Sequence, residues 1–297
     1  MFNGIYAPIA TPFDGDEIDK QALKANLDLY SASRLAGLVV LGSNGEFAYL
    51  NIDEKMALLE FARQNTDSAR RIIAGTGCES TRETIRLTKF AASVGADAAL
   101  VITPSFYKGS MSEAALEQFF LDVAEASPIP IMLYNMPRNT GLNMASGLVC
   151  KLARHENIVG VKDSSGNIVQ IAEIIHNSPV DFAVFAGSGS FLYPTLALGG
   201  VGGTLAVANI FPDLCVSLYE AVLAGEHEQA RQLQHRLLAP NAAVTSRWGI
   251  AGLKAALDML GYRGGLPRRP MLPFNEANLP ELRQILISAG AELEAGI

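Results

Sequence analysis

Three places in this sequence have residue types that could do covalent or anion-binding chemistry. Lys162 follows the apolar run Ile158-Val159-Gly160-Val161. Burial disfavours an ammonium relative to the neutral amine, and a neutral amine in an apolar setting attacks carbonyl carbon to form a Schiff base. The same placement suits a lysine that snorkels to solvent or pairs with the adjacent Asp163. Tyr134 stands in Leu133-Tyr134-Asn135-Met136-Pro137. A phenol can shuttle a proton, although its reference pKa of ~10 makes it a poor base unless a cation such as an iminium lies nearby. Taken alone, the segment fits a packed tyrosine with a partnered hydroxyl better. In Gly42-Ser43-Asn44-Gly45-Glu46, glycines would let consecutive N–H groups converge on an anion, with the Ser43 hydroxyl beside them. No Gly-Lys-Ser/Thr follows, so a carboxylate fits this turn better than a triphosphate does. An ordinary strand-to-helix turn is the other reading.

These residues need elements to bring them together. Short apolar runs recur at 4–8, 37–41, 72–75, 98–103, 129–134, 158–161, 182–186 and 202–207. They are too short for helices and mostly do not alternate, as in strands buried on both faces. Amphipathic stretches lie between them. Asn51-Ile52-Asp53-Glu54 and Ser80-Thr81-Arg82-Glu83 have the spacing of helix starts, and Ser112-Glu113 precedes Leu116, Phe119, Phe120 and Val123. Alternating strands and helices impose parallel strands with right-handed crossovers. Eight such units predict an α/β fold, a closed (β/α)8 TIM barrel, with an open doubly wound sheet as the rival. Beyond residue 224 the pattern turns to helices alone, at 226–238, 250–260 and 280–289. We therefore expect a catalytic barrel over 1–224 and a C-terminal helical extension over 225–297.

Barrel enzymes carry their sites at the C-terminal strand ends. The residues expected there include Thr11, Ser43, Asn44, Thr76, Thr103, Tyr134, Lys162, Gly187 and Ser188. Neither Gly187-Ser188-Gly189 nor Gly199-Gly200-Val201-Gly202-Gly203 is a proper dinucleotide fingerprint.

Composition narrows the function classes. The hydrophobic share of 49% supplies a substantial core, and the net charge of −7 argues against a nucleic-acid face. Cys78, Cys150 and Cys215 are far apart and odd in number, which suits reduced thiols. No His/Cys cluster has ligand spacing, so no metal is expected, and His227 and His235 lie in a charged stretch. No basic leader precedes the first apolar run, and no apolar run reaches the ~18 residues of a membrane span. A cytoplasmic protein without membrane or nucleic-acid partners is expected.

Taken together, the order and flanks of these residues resemble the dihydrodipicolinate synthase/N-acetylneuraminate lyase family of class I aldolases. The matching pieces span nearly the whole chain: Thr11-Pro12-Phe13, the turn at 42–46, Thr103-Pro104 with Tyr107, Tyr134-Asn135-x-Pro137, Gly160-x-Lys162-Asp163 and Ala208-Asn209. The resemblance implies a barrel with a helical tail, usually a homotetramer, a small 2-oxo acid substrate and no cofactor. It implies Lys162 as the Schiff-base lysine and Tyr134 as proton shuttle. It further implies a relay through Ser43 to Tyr107 of a neighbouring subunit, with the pyruvyl carboxylate on Ser43 and the Asn44 N–H. Asn44, Asn139, Ser164, Gly187 and Thr204 are the further expected substrate contacts.

Within the family the stretches Gly42-Ser43-Asn44-Gly45-Glu46-Phe47, Gly77-Cys78-Glu79-Ser80-Thr81 and Pro240-Asn241-Ala242-Ala243-Val244-Thr245 are most similar to 4-hydroxy-2-oxoglutarate aldolases. Gly249-Ile250-x-Gly252-Leu253-Lys254 continues that likeness. The family's synthases carry Thr-Thr where Ser43-Asn44 stand, and an arginine before Thr-Gly where Asn139 stands; Arg138 comes one residue earlier. The expected reaction is cleavage of 4-hydroxy-2-oxoglutarate to pyruvate and glyoxylate. The alternatives are dihydrodipicolinate synthesis, or an aldolase or dehydratase reaction on deoxy-sugar acids. A non-enzymatic binder that kept the barrel is a third, opposed by the presence of Lys162 and Tyr134.

Overall fold

The computed structural model describes residues 2–293. Met1 and residues 294–297, the ends of the two expected regions, lie outside the described residues. Eight of the described strands close into a parallel barrel in sequence order: β1 (Gly4–Pro8), β2 (Gly37–Val40), β3 (Arg71–Gly75), β4 (Ala98–Ile102), β5 (Ile131–Asn135), β6 (Ile158–Asp163), β7 (Ala183–Ala186) and β8 (Gly202–Thr204). The expected TIM barrel is the fold, and the open sheet is excluded by the pairing of β1 with both β2 and β8.

Each strand leads to an outer helix: α1 (Lys20–Ser31), α2 (Ile52–Gln64), α3 (Thr81–Ser93), α4 (Glu113–Ala126), α5 (Ser146–Leu152), α6 (Ile168–Asn177), α7 (Leu192–Ala197) and α8 (Pro212–Leu223). The helix starts follow local chemistry. Asn51 and Glu54 form a reciprocal capping box at α2, while Ser80 accepts the Glu83 N–H and Ser112 the Ala115 N–H. Leu58, Leu59, Leu87, Phe119, Phe120 and Val123 then face inward against the outer side of the strands. The barrel interior is a separate core of Tyr6, Val39, Ile73, Leu100, Met132, Tyr134 and Phe185. Tyr6 meets Phe185 edge-on, with ring centroids 5.7 Å apart. A Cβ on Gly37 would lie 2.6 Å from the Tyr6 ring, so only glycine lets that ring fill the barrel floor.

The tail wraps back over the barrel as α9 (His227–Ala242), a wide π turn (Ala243–Arg247), α10 (Gly249–Met259) and α11 (Leu279–Ser288). Helix α9 runs past the expected end at 238 and contains Pro240 in its last turn. Two strands end more than one residue away from expectation. Strand β6 continues through Lys162 and Asp163, and β8 stops at Thr204 because residues Ala206–Asn209 coil into a 3-10 turn.

Candidate active site

Strand register sets the central pair. Tyr134 on β5 is paired directly with Lys162 on β6, and Lys162 in turn with Phe185 on β7. Residues in register on neighbouring strands face the same side, so both side chains enter the barrel mouth. Both are buried, and the Lys162 Nζ lies 4.0 Å from the centroid of the Tyr134 ring.

Asp163 is not the partner of Lys162. Successive strand residues face opposite sides, so Asp163 turns toward the helices. Its carboxylate accepts from Ser165 N at 2.8 Å and Ser165 Oγ at 2.5 Å. On its other oxygen it accepts from Asn135 Nδ2 at 2.8 Å and Gln170 Nε2 at 3.0 Å. Asn135 is itself in register with Asp163, so an amide–carboxylate clamp outside the barrel holds the strand pair that carries Tyr134 and Lys162 inside it.

The turn after β2 supplies the third group. Leu41 leaves the strand at φ 62, and Ser43–Gly45 form one 3-10 turn. Gly45 N bonds back to Gly42 O at 2.9 Å, while the first N–H groups of such a turn have no carbonyl within it. Ser43 Oγ lies 3.2 Å from Tyr134 Oη. The Asn44 side-chain nitrogen is buried without a hydrogen-bond partner. An unpaired buried donor costs free energy that an incoming acceptor would recover.

Two clefts open from this turn. One, of about 420 Å³, is lined by Ser43, Asn44, Arg138, Asn139, Thr245 and Trp248 among others. Arg138 is the one charged residue lining it, and its Nη2 reaches Ser246 O at 3.4 Å. The second, of about 370 Å³, shares Ser43 and Asn139 and adds Lys55, Cys78, Glu79 and Thr103. The Thr103 hydroxyl is buried there without a partner. Burial pushes the Cys78 thiol up, so it faces this cleft as a neutral thiol at pH 7.

The structure therefore brings Lys162, Tyr134, Ser43, Asn44 and Asn139 to one end of the barrel. Of the other expected contacts, Ser164, Gly187 and Thr204 stand at the C-terminal ends of β6, β7 and β8, the same end of the barrel. Ser164 packs on Gly187, where an added Cβ would lie 1.9 Å from the Ser164 Oγ, so Gly187 serves close approach of two strand ends. Neither lines either cleft, and neither do Lys162 and Tyr134, which lie deeper in the barrel mouth. Thr204 is buried in register with Tyr6 and also lies outside both linings. Tyr107 is 73% exposed, stacked edge-on against Phe106 at 5.0 Å, and lines neither cleft. Glu79 holds its loop by accepting the Ser105 and Phe106 N–H groups, both at 2.9 Å. Thr11 and Thr76 have structural bonds, to Gly45 O and to the Thr88 hydroxyl.

Val244 and Thr245, in the stretch singled out above, bring the π turn into the first cleft, and Trp248, which sequence reasoning did not single out, lines it just beyond the turn. Such widened turns often mark functional sites. Asn241 fastens this region to the barrel by accepting the Gly189 N–H at 3.1 Å and donating to Ser190 Oγ at 2.8 Å. Among the described residues, no group of three or more histidine, cysteine or carboxylate side chains could hold a metal ion. None of the described helices is long and apolar enough to cross a membrane.

Comparison with known proteins extends this geometry. The chain is 37% identical to a 4-hydroxy-tetrahydrodipicolinate synthase of Methanothrix thermoacetophila, over 96% of each chain. It is 36% identical to a probable mitochondrial 4-hydroxy-2-oxoglutarate aldolase of Emericella nidulans, over 98% of this chain and 96% of that one. The crystal structure of dihydrodipicolinate synthase from Aquifex aeolicus superposes with a TM-score of 0.94 at 30% identity, over 99% of this chain and 100% of that one. Relatives named for two different activities are thus nearly equally similar, and the likeness to aldolases expected from the motifs is not resolved by identity. The class of reaction is common to both: the chain is an enzyme, a carbon–carbon lyase. The model of the dihydrodipicolinate synthetase family matches residues 1–289, and the chain belongs to that family.

Proposed function

We propose that this enzyme cleaves 4-hydroxy-2-oxoglutarate to pyruvate and glyoxylate through a Schiff base on Lys162. The observation that carries the reading is the convergence of Lys162, Tyr134 and Ser43, with a 3.2 Å contact between the two hydroxyls and the amine over the phenol ring. The Lys162 amine adds to the C2 ketone, and water leaves to give an iminium. Tyr134 takes the proton of the C4 hydroxyl, the C3–C4 bond breaks, and its electron pair moves into the iminium to form an enamine. Glyoxylate departs. The enamine is protonated at C3, and water hydrolyses the adduct to pyruvate and free Lys162. A covalent adduct divides one difficult carbanion step into easier ones.

Ser43 and the Asn44 N–H bind the pyruvyl carboxylate, and preset donors of this kind need no rearrangement during reaction. For the distal carboxylate the unpartnered Asn44 amide and Asn139, which lies on the wall of both clefts, are the favoured contacts. The exposed Tyr107 fits a homotetramer in which a neighbouring subunit receives it, and we propose that assembly in the cytoplasm.

A second reading rests on Arg138. A guanidinium can grip a carboxylate with two parallel hydrogen bonds, so its place on the cleft wall favours condensation of pyruvate with aspartate semialdehyde. Measuring kcat/KM for cleavage and for condensation on one preparation separates the two. We expect cleavage to be the more efficient; more efficient condensation would replace this reading with the second.

A further inference from the structure

The turn that carries Ser43 and Asn44 ends on a carboxylate with no exposed surface. Glu46 holds a left-handed backbone, φ 57, and its side chain is fully buried. Its Oε1 lies 2.7 Å from Lys254 Nζ on α10, an ion pair by distance though not aligned as a hydrogen bond. Its Oε2 accepts the Arg268 N–H at 2.8 Å. Lys254 is 1% exposed, and with Lys162 is one of the two buried lysines among the described residues. It donates to Thr11 O and Leu266 O, both at 2.8 Å, and its ammonium lies 4.5 Å from the Phe13 ring centroid. The Thr11 hydroxyl closes the circuit by donating to Gly45 O at 2.8 Å.

Through Glu46 and through Thr11 this lysine thus reaches the carboxylate-binding turn twice. A buried ion pair adds little net stability over a well-packed apolar pair, so stability alone is a weak reason for burying two charges. What such a pair does supply is direction: two ions in a low-dielectric pocket tolerate little displacement.

We propose that Glu46 and Lys254 are positioning residues, a buried ion pair through which the C-terminal tail fixes the Ser43–Asn44 donors against the substrate's carboxylate. Neither touches substrate. The proposal rests on the assignment of that turn to the pyruvyl carboxylate.

Borohydride trapping on the full-length protein tests it, with the reduced fraction read by intact mass against ketone concentration. Two ketones are compared: pyruvate, and hydroxyacetone, which lacks the carboxylate. Glu46→Gln should raise the half-saturating pyruvate concentration roughly tenfold, the scale of one charge-assisted contact misplaced. The hydroxyacetone curve should stay within about twofold of wild type, by the same scale. Lys254→Met leaves a lone buried carboxylate and can fail to fold; the double variant Glu46→Gln/Lys254→Met removes both charges and should show the same selective rise. Unchanged pyruvate saturation in the variants, or equal loss with both ketones, would overturn the tether while leaving the Schiff-base reading intact. A wild-type protein that traps no pyruvate on Lys162 would overturn that reading and the tether with it.

Discussion

Tyr134 and Lys162 are direct register partners on adjacent parallel strands, and the lysine amine lies 4.0 Å from the centre of the tyrosine ring. A one-residue slip between β5 and β6 would turn one of the two out of the barrel. The amide–carboxylate clamp of Asn135, Asp163 and Gln170 on the outer face opposes that slip.

Removing the Tyr134 hydroxyl should leave the ring packing and remove the proton shuttle. Tyr134→Phe is expected to lower kcat by roughly 10²–10⁴-fold, the range for a positioned general acid–base group. Steady-state turnover near that of wild type would take Tyr134 out of the mechanism.

Tyr107 should matter only through assembly. Its ring is 73% exposed in the single chain and lines neither cleft. Tyr107→Phe is expected to lower kcat in the oligomer at unchanged thermal stability. Full activity in a dilute preparation shown by light scattering to be monomeric would contradict delivery by a neighbour.

The distal half of the substrate separates Asn139 from Arg138. Asn139→Ala should lower kcat/KM for cleavage by about tenfold, the worth of one hydrogen bond of ~1–1.5 kcal/mol. Arg138→Ala should change it by less than about threefold, near the noise of a surface contact. An Arg138→Ala variant that selectively loses an efficient condensation reaction would show that the guanidinium holds the second substrate.

Much of the barrel was legible because strands buried on both faces read as short unbroken apolar runs. Lys162 stands at the end of its strand as expected, and β6 runs one residue beyond it to Asp163. The Asp163 carboxylate is met locally by Ser165, and by Asn135 and Gln170 from other elements, which no local pattern encodes. Lys162, Tyr134 and Ser43 were legible by type and by strand-end position. Ser164, Gly187 and Thr204 stand at the same end of the barrel but outside the linings of the two clefts. Val244 and Thr245 stood out only as part of a motif, and the place of Trp248 in the cleft was not legible, since an aromatic residue of a helical tail looks like core. The Glu46–Lys254 pair joins distant segments, and sequence periodicity says nothing of which buried charges meet.

Acid stability should report the tail's second anchor. The Arg268 guanidinium, bonded to Glu54 at 2.7 Å, holds that carboxyl below its ordinary value of 4.5, against the opposing effect of burial. A carboxyl lowered in the folded state stabilises the fold above its unfolded pKa, and that contribution is lost as pH falls through the folded value. Glu54→Gln should therefore flatten the fall of Tm in the acid range below about pH 4.5. Parallel Tm–pH curves for variant and wild type would contradict the assignment.

The central claim is the covalent role of Lys162, and mass mapping of the borohydride-reduced pyruvate adduct tests it most directly. The predicted result is one adduct per chain, on the peptide containing Lys162, absent in Lys162→Ala. An adduct on Lys254 or Lys151, or no adduct with pyruvate at all, would contradict it.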